Sequence, residues 1–205
     1  MIREKSIQHY IENALVPSLH LGCGPYQLTG WLNTDYSPTS PDIIFLDATH
    51  VFPFDDNTFN FVYSEHMIEH LSLEGGINLI KESFRVLKPN GRIRLTTPNL
   101  NFLFELYANS EISKKYIKFA SDEFIKSGYY SEAMVINNFM RAWGHQFIYD
   151  ERTLTRILES NGFRNVESFQ IGVSNFTNLS KLEKPERLPE SFLQLESMTL
   201  EAVKF

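Results

Sequence analysis

The stretch His20-Leu21-Gly22-Cys23-Gly24-Pro25 restricts this chain more than any other. Apolar Val16, Leu19 and Leu21 lead into two glycines one residue apart. Glycine lacks Cβ and tolerates positive φ, so a strand ending in Gly-x-Gly lets the backbone come close to a ligand. A second segment, Trp31-Leu32-Asn33-Thr34, closes on a carboxylate, Asp35. An acid at the tip of a second strand can accept both hydroxyls of a ribose. Together the two features point to a nucleoside-containing cofactor held at strand ends of an α/β sheet.

The flanking pattern extends that sheet. Residues 4–15 place Ile7, Tyr10, Ile11 and Leu15 at helical spacing, and Pro17 stops the helix. Strands are expected over Ser18–Leu21, Leu32–Asp35 and Asp42–Asp47, with near-continuous apolar runs that suit a parallel sheet covered on both faces. Gly22 to Trp31 spans ten residues and Tyr36 to Asp42 seven. A helical crossover between parallel strands takes about a dozen residues or more, so these two connections are expected to be loops. One sheet face is then short of helices. The N-terminal helix, a later insertion or a partner subunit must cover it, which admits a homodimer.

Further along, Phe59–Ser64 reads as a fourth strand running into a loop and one helical turn over 65–71. A helix is expected over about 73–88 with Ile77, Ile80, Phe84 and Leu87 on one face, ended by Lys88-Pro89-Asn90-Gly91. A fifth strand follows over Arg92–Thr97. Residues 100–143 then break the alternation with two or three short, aromatic-rich helices. Asp150 caps a helix carrying Leu154, Ile157 and Leu158, closed by Asn161-Gly162. Strands over Asn165–Ile171 and Ser197–Lys204 complete the pattern, with a polar segment containing Pro185 and Pro189 between them. All 205 residues are expected to form one domain, with 100–143 as a helical insertion.

Composition limits the function classes. The net charge of −6, without a run of Lys or Arg, argues against a nucleic-acid partner. One cysteine excludes an internal disulfide and a cysteine-rich zinc site. The charged start has no signal-peptide h-region, and no apolar run reaches the roughly 18 residues of a membrane span, so a cytoplasmic location away from the membrane is expected.

With these pieces placed, the chain resembles a class I S-adenosylmethionine (SAM)-dependent methyltransferase of the methyltransferase domain 11 type. The resemblance is carried by His20-Leu21-Gly22-Cys23-Gly24, Asn33-Thr34-Asp35, Leu46-Asp47-Ala48, the run from Phe52 to Ser64, Ile68-Glu69-His70-Leu71 and the run from Glu82 to Gly91. The ending, from His145 through Asp150 to Leu158-Glu159-Ser160-Asn161-Gly162-Phe163, also matches. It implies a Rossmann-like seven-stranded, mostly parallel sheet of order 3-2-1-4-5-7-6 with the last strand antiparallel. It further implies SAM as cofactor, bound by a set comprising His20, Gly22, Cys23, Gly24, Asp35, Tyr36, Asp47, Ala48, Ser64, Glu65 and His66. In that set Gly22 and Gly24 approach the methionyl part, Asp35 holds the ribose, and Asp47 with the Ala48 backbone meets the adenine amino edge. Ser64, Glu65 and His66 border the sulfonium. The chain departs from the family in a truncated helix after the glycine turn and in Gln27 and Leu28 where a third glycine usually stands.

Methyl transfer from a sulfonium is an in-line displacement at an activated carbon, so the protein mainly supplies proximity and alignment. Where the acceptor must lose a proton, His66 and His145 are the candidate catalytic bases. The acceptor is expected to be a small molecule with an O or N nucleophile, under a lid formed by 100–143; the same residues also read as a packed cap without substrate contact. Cys23 reads as a small buried filler. Three other readings stand beside the transferase. The first is a SAM-binding regulatory protein. The second is an NAD-dependent oxidoreductase, disfavoured because the third glycine is missing and Asp35 follows Gly22 by only 13 residues. The third is a zinc hydrolase built on His66-Met67-Ile68-Glu69-His70, which matches H-x-x-E-H. That motif directly follows a strand instead of lying within a helix, so Glu69 and His70 read as local capping or packing residues and no metal is expected.

Overall fold

The structure, a computed structural model, describes residues 2–205, with side chains described for 6–184, 186–189 and 191–205. Strands β1 (Ser18–Leu21) and β2 (Leu32–Asp35) pair in parallel, Leu19 against Leu32 and Leu21 against Thr34. The remaining strands are β3 (Ile44–Phe45), β4 (Phe59–Glu65), β5 (Leu87–Pro98), β6 (Arg164–Phe169) and β7 (Ser197–Val203). The sheet order is β3-β2-β1-β4-β5-β7-β6. Strands β1 to β5 are parallel, and β7 runs antiparallel to both β5 and β6. The expected fold class is therefore present.

The connections after β1 and β2 contain no helix, as their lengths require. How that side of the sheet is covered differs from the expectation of apolar strands on both faces. Leu19, Leu21, Val62, Ile93, Leu95, Leu200 and Ala202 belong to one apolar core. Alternate positions of the same strands carry His20, Tyr63, Arg94, Thr96, Thr199 and Glu201, all buried. Successive residues of a strand point to opposite faces, so the second face is polar and internally paired. Arg94 donates to Glu183 at 2.7 Å and to Glu201 at 2.6 Å, and Thr96 donates to Glu183 at 2.8 Å. The polar 170–184 segment supplies Glu183 and the Val173 carbonyl that Arg94 also meets, at 2.9 Å. Coil held by an ion-paired network thus occupies the place of crossover helices.

Helix α1 (Ile2–Asn13) packs Ile7 into the core, and the Tyr10 hydroxyl accepts from the Ser18 amide at 3.0 Å and donates to the Gly30 carbonyl at 2.9 Å. Leu15, expected on its apolar face, lies beyond the helix end and is fully exposed. Helix α2 (Leu73–Val86) is capped by Ser72, which accepts from the Gly75 amide. It stops two residues before the expected end because Leu87 already pairs with Phe59 as the first residue of β5. Its core residues are Leu79, Ile80 and Val86; Ile77 is exposed. The third and sixth strands are shorter than expected, since only Ile44–Phe45 and Arg164–Phe169 pair.

Residues 100–143 form α3 (Leu100–Glu105), α4 (Glu111–Ala120) and α5 (Glu132–Arg141) around a second apolar core. Phe102, Tyr116 and Phe139 are its centre, with Phe102 and Tyr116 at 4.7 Å between ring centroids. Asp150 caps α6 (Glu151–Ser160) by accepting from the Thr153 amide at 2.6 Å. The short α7 (Phe192–Glu196), not anticipated from the sequence, adds Phe192 to the second core and leads into β7.

Candidate functional site

The glycine turn folds back onto the neighbouring strand. The Cys23 amide donates to the Thr34 carbonyl at 3.0 Å, and the Gly24 amide donates to Oδ2 of Asp35 at 2.8 Å. Gly22 and Gly24 have φ of +67° and +52°, a region that L side chains rarely adopt. At Gly22 a Cβ would also lie 2.3 Å from Cγ of Met67. Oδ1 of Asp35 accepts from the Ser37 amide at 2.7 Å. Each carboxylate oxygen keeps a further lone pair, so the acid is oriented and still able to accept.

Asp47 is held in the same manner past the end of β3. Its Oδ1 accepts from the Thr49 amide at 2.9 Å and the Thr49 hydroxyl at 2.6 Å, and His50 lies 3.1 Å from Oδ2. The Thr49 hydroxyl holds the Asp47 carboxyl below the usual carboxylate range, with the Thr49 amide and His50 acting in the same direction. A cavity of about 440 Å³ opens between the two acids, lined by Gly22, Asp35, Tyr36, Asp47, Ala48 and Thr49 on one side. Leu46, Met67, His70, Leu71 and Gln146 complete it. That volume is within the range of small-molecule sites. Two oriented carboxylates, a close backbone approach and an apolar floor suit a nucleoside with a charged tail.

The site stands at the carboxyl ends of the parallel strands, and a family model described as "Methyltransferase domain" matches residues 18–168. The chain belongs to the methyltransferase domain family. The domain is that of a SAM-dependent methyltransferase, and SAM is its cofactor. Solved structures show the same fold. A SAM-dependent methyltransferase from Archaeoglobus fulgidus superposes with a TM-score of 0.57 at 17% identity, covering 99% of this chain and 93% of that one. A Haloferax volcanii protein in complex with the Trm112 methyltransferase activator gives a TM-score of 0.52 at 14% identity, over 98% and 90%. An uncharacterized 37.1 kDa protein in a Streptomyces fradiae transposon is 24% identical over 135 residues. The match is 54% of this chain and 38% of that protein, so the chain spans well under half of that relative.

Of the cofactor set expected for this methyltransferase domain, Gly22, Asp35, Tyr36, Asp47 and Ala48 line the cavity. The others do not. Gly24 acts through its amide on Asp35, and Cys23 is buried with its thiol pushed up to about 11 by burial, consistent with a filler. His20 is buried on the polar sheet face, 3.1 Å from Asn33 and 5.1 Å from the Tyr63 ring. Burial pushes it down to about 4, against the opposing pull of Asn33 and Asp35. Ser64 is buried, and Glu65 pairs with Arg187 and accepts from the Tyr63 hydroxyl at 3.0 Å.

His66 and His145 meet elsewhere, in a neighbouring cavity of about 230 Å³ with Glu69, His70, Pro98, Phe124, Phe139, Trp143, Leu188 and Glu196. His66 lies 3.3 Å from Glu69 and 3.1 Å from the Ser197 hydroxyl, so both of its ring nitrogens face a partner. Burial opposes its charge, yet Glu69, Glu196 and Glu65 outweigh this and hold its pKa above the usual histidine value. Nδ1 of His145 donates to the Phe139 carbonyl at 2.7 Å, which makes Nε2 the remaining lone pair of the neutral ring. Sequence reasoning missed Met67, His70 and Gln146 as lining residues. The H-x-x-E-H spacing marked His70, whereas no local signal marks Gln146.

No helix among the described residues is long and apolar enough to cross a membrane.

Proposed function

We propose that the chain transfers the methyl group of SAM to an O or N atom of a small molecule seated in the cavity beside His66 and His145. One observation carries this reading: His70 lines both that cavity and the one between Asp35 and Asp47. A ligand in one is therefore a near neighbour of a ligand in the other. Bound SAM supplies an electrophilic methyl group. The protein's part is to hold that group in line with the acceptor, which is where most of the rate advantage of such a reaction arises.

Asp35 is assigned to the ribose hydroxyls and Asp47, with the Ala48 backbone, to the adenine edge. Helices α3 to α5 serve as the acceptor lid, since Phe124, Phe139 and Trp143 project from that region into the second cavity. Aromatic walls favour an acceptor with a flat or sugar-like face. His66, held between Glu69 and Ser197, acts as a positioning residue. His145 has the lone pair able to take a proton from an acceptor hydroxyl. Calorimetric titration with SAM and with its demethylated product tests the cofactor assignment. Scoring methyl transfer against a panel of small hydroxyl and amine acceptors tests the activity. Binding without transfer to any acceptor would favour a regulatory role for the domain.

A further inference from the structure

We propose that Glu69, His70 and His145 form a binding site for one divalent transition-metal cation, placed between the two cavities. One ligand atom from each of these residues lies within 4.8 Å of the others. Ligand atoms on a tetrahedral metal with bonds of about 2.1 Å stand about 3.4 Å apart, so side-chain rotations that draw these atoms inward by up to about 1.4 Å close the site. Two imidazoles with one carboxylate select zinc, cobalt, iron or manganese over magnesium or calcium, which prefer all-oxygen sites. The arrangement differs from the helical H-x-x-E-H reading. His66 is engaged with Glu69 and Ser197, and the second imidazole comes from His145, far along the chain.

Three features show that the group is built. First, the two chain segments are laced together. The Gln146 and Phe147 amides donate to the Glu69 carbonyl at 2.8 and 3.2 Å, and the Gln146 side chain donates to the His70 carbonyl at 2.7 Å. Second, His145 gives Nδ1 to the Phe139 carbonyl at the end of the lid, at 2.7 Å. Such outer contacts set the tautomer and aim the other nitrogen of a metal-bound histidine. Third, Glu69 is fully buried. Its Oε2 accepts from Thr97 at 3.0 Å, while Oε1 has no hydrogen-bond partner and only His66 at 3.3 Å. Packing of the two imidazoles, whose centroids are 4.9 Å apart, explains their contact but not a fully buried carboxylate oxygen whose one partner is the ion pair with His66. Three protein ligands leave coordination positions open. All three residues line the second cavity, so on the acceptor reading above an acceptor oxygen would complete the shell, and with metal bound Nε2 of His145 serves as a ligand instead of a base.

The test uses the full chain stripped with a chelator and titrated with Zn²⁺ by calorimetry and with Co²⁺ by visible absorption. The expected result is one saturable site per chain with ligand-field bands for Co²⁺, and no comparable binding of Mg²⁺. His70→Ala and His145→Ala should each weaken Zn²⁺ binding by about 10-fold or more, while His9→Ala on the exposed face of α1 should not. Should His145→Ala not fold, His145→Gln, which can still donate to Phe139, replaces it. Titration of the same preparations with the demethylated form of SAM reports the cofactor site separately. Absence of saturable Zn²⁺ and Co²⁺ binding by protein that still binds that product overturns the metal site alone. Wild-type affinity in both histidine variants overturns it as well.

Discussion

The Gly24 amide donates to Oδ2 of Asp35 at 2.8 Å, which makes the glycine turn and the acid one strand away a single unit. Asp35 orients the turn by accepting from it, and the turn in turn fixes which carboxylate lone pairs remain for a ligand. We expect Asp35→Ala to weaken binding of the demethylated product by ~10- to 100-fold, the scale of losing hydrogen bonds to a charged group. Calorimetry checks this alongside a melting curve, since the Gly24 and Ser37 amides also lose their acceptor. Unchanged affinity in folded Asp35→Ala and Asp47→Ala proteins would remove the cofactor assignment.

The two glycines should respond differently to substitution. At Gly24 an added Cβ meets nothing within 4 Å, so Gly24→Ala should cost only the left-handed backbone, ~1–2 kcal/mol. At Gly22 the Cβ would also press on Met67, adding ~1–3 kcal/mol of overpacking. Denaturant unfolding of Gly22→Ala with and without Met67→Ala tests this. The second change should recover only part of the packing cost, because the Cβ that alanine keeps at 67 would still lie 2.8 Å away, and it should leave the backbone part untouched.

Glu183 is the anchor of the polar sheet face. It meets Arg94 through both oxygens, at 2.7 and 2.9 Å, and accepts from the Gly172 amide at 2.9 Å. Breaking a buried pair on one side leaves an uncompensated charge, so Glu183→Gln should destabilise by ~3–5 kcal/mol. Urea unfolding measures it. A loss below ~1 kcal/mol, the value of an exposed pair, would mean that the 170–184 segment does not depend on this network.

His20 predicts an acid sensitivity. Its folded pKa, about 4, is below the unfolded value of 6.5. The unfolded chain therefore binds the extra proton first as pH falls. The contribution of neutral His20 is complete above pH 6.5 and is lost as pH falls from 6.5 to about 4. The loss should reach ~3 kcal/mol at the lower end. Comparing unfolding free energies of wild type and His20→Gln across that window tests it. Parallel pH curves for the two proteins would show that His20 is not the titrating group.

Part of the lining of the candidate site was legible in the chain. Gly22 follows β1 and Asp35 ends β2, where local pattern locates strand tips, whereas Asp47 and Ala48 lie past the end of β3 and are marked by the family resemblance. Short connections likewise announced the missing helices after β1 and β2. The polar sheet face was less legible. Arg92-Ile93-Arg94-Leu95-Thr96 alternates in sequence, yet nothing nearby shows that Arg94 is buried, because its partners are 89 and 107 residues away. The helix end at Val86 was misplaced for a related reason, since pairing with Phe59 competes with the helical signal at Leu87.

The amino-acid order by itself determined the bounds of β1 and β2, the loop crossovers and the pair of acids, because each depends on neighbours a few residues apart. Only the tertiary structure decided which histidines meet and which side chains share a cavity. His145 reaches His70 because backbone hydrogen bonds from Gln146 and Phe147 dock one segment on the Glu69 turn. Such long-range closure depends on the whole packed sheet, and no local spacing encodes it.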